Sequence, residues 1–172
     1  KQGMISCLSN GDTDTAIRIK NEFNLPAEVI NSPEVQELVK KRIIKYLSDG
    51  VISHALQIKN NFYLSEQMVE EALQQGITQL LLKGNISDAL QIRYIFGLPE
   101  MVYSVEVQEA VKTEMANLLS KSDISKEKKI RDSFGLSEQM VEEAVKQAII
   151  ESQQLAAEKM KPMMGQLGNL GL

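Results

Sequence analysis

One pattern recurs four times along the 172 residues, and it limits the folds open to this chain. Phe23, Phe62, Phe96 and Phe134 each lie four residues after an Ile (Ile19, Ile58, Ile92, Ile130) and two before a Leu (Leu25, Leu64, Leu98, Leu136). The rings stand 39, 34 and 38 residues apart. Periods of this size, with helical spacing inside each copy, predict stacked helix pairs, because one pair cannot bury its apolar face alone.

Each copy holds two helical patterns. A short one runs over 14–24, 53–63, 87–97 and 125–135, and opens on Asp14, Ser53, Ser87 or Ser125. These are N-cap residue types, whose side-chain oxygen can accept from free backbone N–H groups. Ala16, Ala55 and Ala89, followed by the Ile and the Phe at i+3 and i+7, place one apolar face toward a core. A longer pattern precedes it: Val35, Val39, Ile43, Leu47, then Val69, Leu73, Ile77, Leu81, then Val107, Val111, Met115, Leu119. Met4 and Leu8 read as the tail of an earlier copy. Leu8-x-x-Gly11, Leu47-x-x-Gly50 and Leu81-x-x-Gly84 close three of them with the residue that best adopts a left-handed turn. The fourth has Ser122 in that place.

Two of the loops after the Phe are lengthened, by 31–34 and by 103–106, and Ser32-Pro33 marks a helix start. The other two pass directly into Leu-Ser-Glu-Gln-Met-Val-Glu-Glu-Ala, identical at 64–72 and 136–144. Two alternating subtypes imply duplication of a pair. The last long pattern, Glu138 to Met160, places Val141, Val145 and Ile149 on the core face and then turns polar, as a terminal cap does. The expectation is one all-α domain over 1–160, a right-handed α-solenoid of stacked antiparallel helix pairs with about nine helices. Its repeats cover roughly 1–25, 26–64, 65–98 and 99–136, the capping helix covers 137–160, and 161–172 forms a flexible Gly/Met tail.

Composition narrows function by exclusion. With one His and one Cys, neither a metal set nor a Cys–His catalytic pair can be assembled. Gly-rich phosphate loops and nucleophile motifs are missing, so no enzyme, cofactor or metal is expected. His54 aligns with Thr15, Asp88 and Lys126, and reads as a solvated histidine. Cys7 aligns with Tyr46, Leu80 and Leu118, and reads as a small core side chain. A lone cysteine fits a reducing, cytoplasmic setting. The chain opens in mid-pattern without a secretory leader, and no apolar run approaches the roughly 18–20 residues that cross a bilayer, so no membrane partner is expected. The net charge of −4 weighs against a basic nucleic-acid surface.

Two charge ladders remain. A base lies three residues before each Phe: Lys20, Lys59, Arg93 and Arg131. An acid lies two residues after the first core Val of each long helix: Glu37, Glu71, Glu109 and Glu143. The base row could meet a phosphate backbone or an acidic peptide. Both ladders also sit at helix ends where their charge is favoured by about 0.3–1 kcal/mol. Salt bridges from one ladder to the other would explain them without a ligand. Two basic clusters, Lys40-Lys41-Arg42 with Lys45 and Lys121 with Lys126, Lys128, Lys129 and Arg131, allow the same two readings. In the fourth copy Glu127-Lys128 replaces Ala-Ile or Ala-Leu, which predicts looser packing. Gly3, Arg42, Gly76 and Glu114 share one variable column and are the places where partner specificity would be written. Tyr46, Tyr63, Tyr94 and Tyr103 form no ladder, which argues against a base-per-repeat code.

The run Leu-x-x-Gly-x-x-x-x-Ala-x-x-Ile-x-x-x-Phe-x-Leu at 47–64 and 81–98 resembles the helical-hairpin repeats of the tetratricopeptide and pentatricopeptide class. The tetratricopeptide Trp is absent, and the pentatricopeptide ending occurs only as Gly97-Leu98-Pro99. The wording at 3–11 and 32–37 is similar to uncharacterised bacterial helical-repeat proteins, a likeness that implies fold and no activity. The tetratricopeptide likeness implies a noncatalytic scaffold or adaptor that binds a protein or peptide on a concave surface. The pentatricopeptide likeness implies single-stranded RNA as the alternative partner. Self-association through the open N-terminal repeat is a third reading.

Overall fold

The computed structural model describes residues 1–97 and 104–168, and side chains as far as residue 161. Every element among them is a helix, ten in all. The long patterns form α4 (Pro33–Ser48), α6 (Glu66–Leu82), α8 (Val105–Ser120) and α10 (Glu138–Gly168), and the tail of an earlier copy forms α1 (Gln2–Asn10). Short ones are α2 (Thr13–Glu22), α5 (Ile52–Asn61), α7 (Ile86–Ile95) and α9 (Ile124–Phe134). These nine match the long and short patterns. The tenth, α3 (Ala27–Ile30), forms inside the first lengthened loop, which reads as a connection in sequence. Leu98, Pro99 and Tyr103 lie outside the described residues, as do 169–172 of the expected tail. The chain divides into two compact units, Lys1–Val107 and Gln108–Leu172.

Each long helix hands over to its short helix through the same joint. Gly11, Gly50 and Gly84 have φ of 90°, 74° and 72°, and Ser122 takes the same turn at 60°. The residue after each donates back five positions: Asp12 to the Cys7 carbonyl at 2.9 Å, Val51 to Tyr46 at 2.8 Å, Asn85 to Leu80 at 2.8 Å and Asp123 to Leu118 at 2.9 Å. That bond satisfies a carbonyl left open by the ending helix. The same residue then caps the next helix. Asp12 accepts from Thr15 N, Asn85 from Asp88 N and Asp123 from Lys126 N. The caps therefore stand two positions before Asp14, Ser87 and Ser125, because the tight turn leaves no residue between joint and helix. Val51 has no side chain able to cap.

In the first unit α1 packs on α4, α4 on α6, and α2 on α5. The long-helix stripes are buried as the period requires: Val35, Val39, Ile43 and Leu47 on α4, and Leu73, Ile77 and Leu81 on α6. Ala16, Ala55 and Ala89 are fully buried, as is Phe62, but Phe23 is 70% exposed. Buried Gln36 serves as a polar tie. Its Nε2 donates to the carbonyls of Ile30 at 3.1 Å and Phe62 at 3.2 Å, which fastens the ends of α3 and α5 to α4. A buried amide that finds partners avoids the roughly 1–3 kcal/mol cost of an unmet polar group.

The second unit is built around Met115 and Ala116 of α8 against Ala144 and Ala148 of α10, with Leu119, Leu136 and Val141 at its edge. Val145 and Ile149, expected in the core, are 40% and 53% exposed. They correspond to Leu73 and Ile77 of α6, which are buried. Glu127 occupies the Ala place in α9 and is buried, paired with Arg131 at 3.6 Å. The backbone of α10 stays helical through Pro162 to Gly168, where the sequence predicts a frayed tail beyond Met160.

Serine at φ 60° carries backbone strain that glycine does not. Ser122→Gly is expected to raise stability by about 0.5–1 kcal/mol in a denaturant titration. An unchanged or lower midpoint would show that the turn does not set the cost at this joint.

Candidate functional site

Two bases of the ladder, Lys20 and Lys59, lie over aromatic rings. Lys20 Nζ lies 5.9 Å from the centroid of Phe62 and 5.7 Å from that of Tyr63. Lys59 Nζ lies 5.8 Å from the centroid of Phe96. Each lysine of the first unit thus covers the aromatic ring of the following copy, a cation–π contact worth about 0.5–1 kcal/mol or more where water is excluded. Arg93 ends α7 with its Nε buried. Arg131 meets Glu127 at 3.6 Å and Asp132 at 3.7 Å.

The acid ladder pairs with a different set of bases. Glu71 of α6 bonds Lys40 of α4, and Glu143 of α10 meets Lys112 of α8 at 3.2 Å. Lys112 also holds Glu109 at 2.7 Å. The expected link between the two ladders does not form at these residues. Glu71 and Glu143 lie on long helices and meet the long helix beside them, whereas the ladder bases sit at the ends of short helices. The identical 64–72 and 136–144 segments repeat a detail as well: Gln67 donates to Glu71 and Gln139 to Glu143, each at 3.1 Å. The Lys40 hydrogen bond, then that of Gln67, holds the Glu71 carboxyl below its ordinary range. Lys112, then Gln139, does the same for Glu143.

The variable column faces neighbouring helices. Arg42 Nε donates to the Leu8 carbonyl at 2.5 Å, and its Nη2 bonds the Ser9 carbonyl, so the guanidinium caps the end of α1. Gly76 is buried where α6 meets α4; a Cβ there would stand 2.6 Å from Leu47 Cβ. Glu114 is buried and accepts from Asn117 Nδ2 at 3.1 Å. Gly3 lies near Ile19, whose Cδ1 would stand 3.7 Å from an added Cβ. The basic cluster on α4 is likewise dispersed: Lys40 goes to Glu71, Arg42 to carbonyls, and Lys45 to Asp49 at 2.8 Å. In the second, Lys126 meets Asp123 at 2.8 Å. Exposed His54 stacks on Tyr46 with centroids 5.3 Å apart, and Cys7 is half-buried.

What the long helices leave open is their outer face. On α6 it forms a groove of about 440 Å³ lined by Glu71, Gln74, Gln75, Thr78 and Gln79, and closed at one end by Ser104 and Glu106. Gln74 Oε1 accepts from Ser104 N at 3.1 Å. Sequence reasoning passed over this row, because glutamines on a polar helix face look like ordinary solvated residues. Among the described residues no group of His, Cys, Asp or Glu is arranged to hold a metal ion, and no helix is long and apolar enough to cross a membrane.

Gly76→Ala is expected to destabilise by about 1–3 kcal/mol despite its better helix propensity, since the clash is with a Cβ that cannot rotate away. Equal or higher stability in urea would show that the two helices can separate freely. The lowered carboxyls set a pH dependence. A group depressed in the folded state stabilises above its unfolded value, here 4.5, and that stability is lost as pH falls through the folded value. Between about pH 6 and about pH 3 the melting temperature of the wild type should fall more steeply than that of the Glu71→Gln/Glu143→Gln variant. Parallel curves would show the ladder contributes nothing. Comparison of the chain with protein-family models, curated proteins and solved structures returns no match.

Proposed function

We propose that the chain is a noncatalytic scaffold, a right-handed α-solenoid of the tetratricopeptide and pentatricopeptide kind, that holds a protein or peptide on the concave surface formed by its long helices. The observation that carries this reading is the groove on α6. Its lining offers amide and hydroxyl groups that can both donate and accept, as peptide main chain requires, and its charged groups among the described residues are the carboxylates Glu71 and Glu106. Carboxylates repel a phosphate backbone, while Lys20 and Lys59 are engaged with rings, so the groove favours peptide over single-stranded RNA. A single cysteine, Cys7, is compatible with a reducing, cytoplasmic setting for this scaffold.

The test is capture from native lysate with and without nuclease, repeated with Gln75→Ala/Gln79→Ala and with Lys20→Gln/Lys59→Gln. A partner that survives nuclease, weakens about tenfold or more with the first variant and persists with the second supports the proposal. Loss of everything with nuclease, or loss only with the lysine variant, overturns it in favour of RNA.

A further inference from the structure

Tyr63 keeps the backbone of its column but not the residue type that suits it. The residue after each Phe takes a positive φ: Asn24 at 41°, Tyr63 at 30°, Gly97 at 65° and Gly135 at 57°. Asn and Gly tolerate that conformation, whereas a bulky aromatic residue there is an outlier that the surroundings must hold in place. The strain hides no ring from water, because Tyr63 is 75% exposed. Strain of this kind concentrates at ligand sites.

The ring forms part of a second cavity, of about 350 Å³, at the low end of the roughly 300–1,000 Å³ typical of ligand sites. Asn21, Asn24 and Asn31 line it with carboxamides, Lys20 with its amine, and Leu25 and Ile30 with apolar surface. Two departures from the repeat create it: the lengthened loop that supplies α3 and Asn31, and tyrosine in a column of Asn and Gly. At the next junction the loop is short and the column holds Gly97, beside which a Cβ would meet nothing within 4 Å.

We infer that this cavity binds a short extended peptide segment carrying an apolar side chain. Each carboxamide presents one donor side and one acceptor side, which matches a peptide unit. The cavity has one cation, already shared between two rings, too little positive charge for a phosphate. It has no carboxylate to meet a basic ligand. Tyr63, Leu25 and Ile30 supply the apolar contact that a side chain needs. The site is separate from the α6 groove and does not depend on it.

The experiment titrates the full chain, uniformly labelled with ¹⁵N, with N-acetyl-Ala-Phe-Ala amide, and reads the side-chain amides of Asn21, Asn24 and Asn31. Maltose serves as the saccharide control. Saturable shifts at these amides with the peptide are expected, as is at least tenfold weaker binding by Tyr63→Asn, which installs the residue of the first copy. Because that variant removes backbone strain, its melting temperature should rise by about 2–4 °C while binding falls. Tyr63→Phe should bind as the wild type does. No saturable shift, shifts with maltose alone, undiminished binding by Tyr63→Asn, or a lower melting temperature for it would each overturn the proposal. The Gln75→Ala/Gln79→Ala variant should bind this peptide normally, so failure here is distinct from failure of the long-helix groove.

Discussion

A lysine laid across the aromatic ring of the following copy ties the short helices of the first unit together. Lys20 covers Phe62 and Lys59 covers Phe96. Both lysines stand three residues before the Phe of their own copy, a position that points toward the ring of the next. Two members of a row that could be read as a phosphate-binding comb are thereby engaged within the fold.

The long helices use their charges in the same way, through Glu71 with Lys40 and Glu143 with Lys112. Exposed pairs of this kind contribute little singly, about 0–1 kcal/mol, so their role is better seen as register than as bulk stability. The bulk comes from the buried stripes and from the close approach at Gly76, where an absent side chain brings α4 and α6 together. The two proposed partner sites lie elsewhere, at the glutamine row of α6 and at Tyr63 with its neighbouring asparagines.

Much of the architecture was legible because it is periodic. The long stripes, the Gly turns and the four short helices follow from spacing alone, and Ser122 in the Gly column adopts the glycine turn. What was illegible depends on neighbours that a one-dimensional pattern does not name. Val145 and Ile149 repeat the core spacing of Leu73 and Ile77, yet they are exposed. The caps were placed two residues late because Asp14, Ser87 and Ser125 are good cap types that the turn geometry puts inside the helix. Gln36 gave no signal, since a glutamine among apolar residues does not announce which carbonyls it will meet. Gly76 and Arg42 varied as specificity positions do, but their variation answers the helix alongside. The Asn, Tyr, Gly, Gly column after the Phe was a signal available in the sequence, in which Tyr63 is the one residue poorly suited to its turn.

The central claim is that the base ladder belongs to the fold. A double-mutant cycle on Lys59 and Phe96, with Lys59→Met and Phe96→Leu measured singly and together in urea, tests it most directly. Methionine keeps the aliphatic stem and removes the charge. A favourable coupling of about 0.5–1 kcal/mol is predicted. Additive effects, with no coupling between the two residues, would contradict the account and return the ladder to the surface as a ligand-binding row.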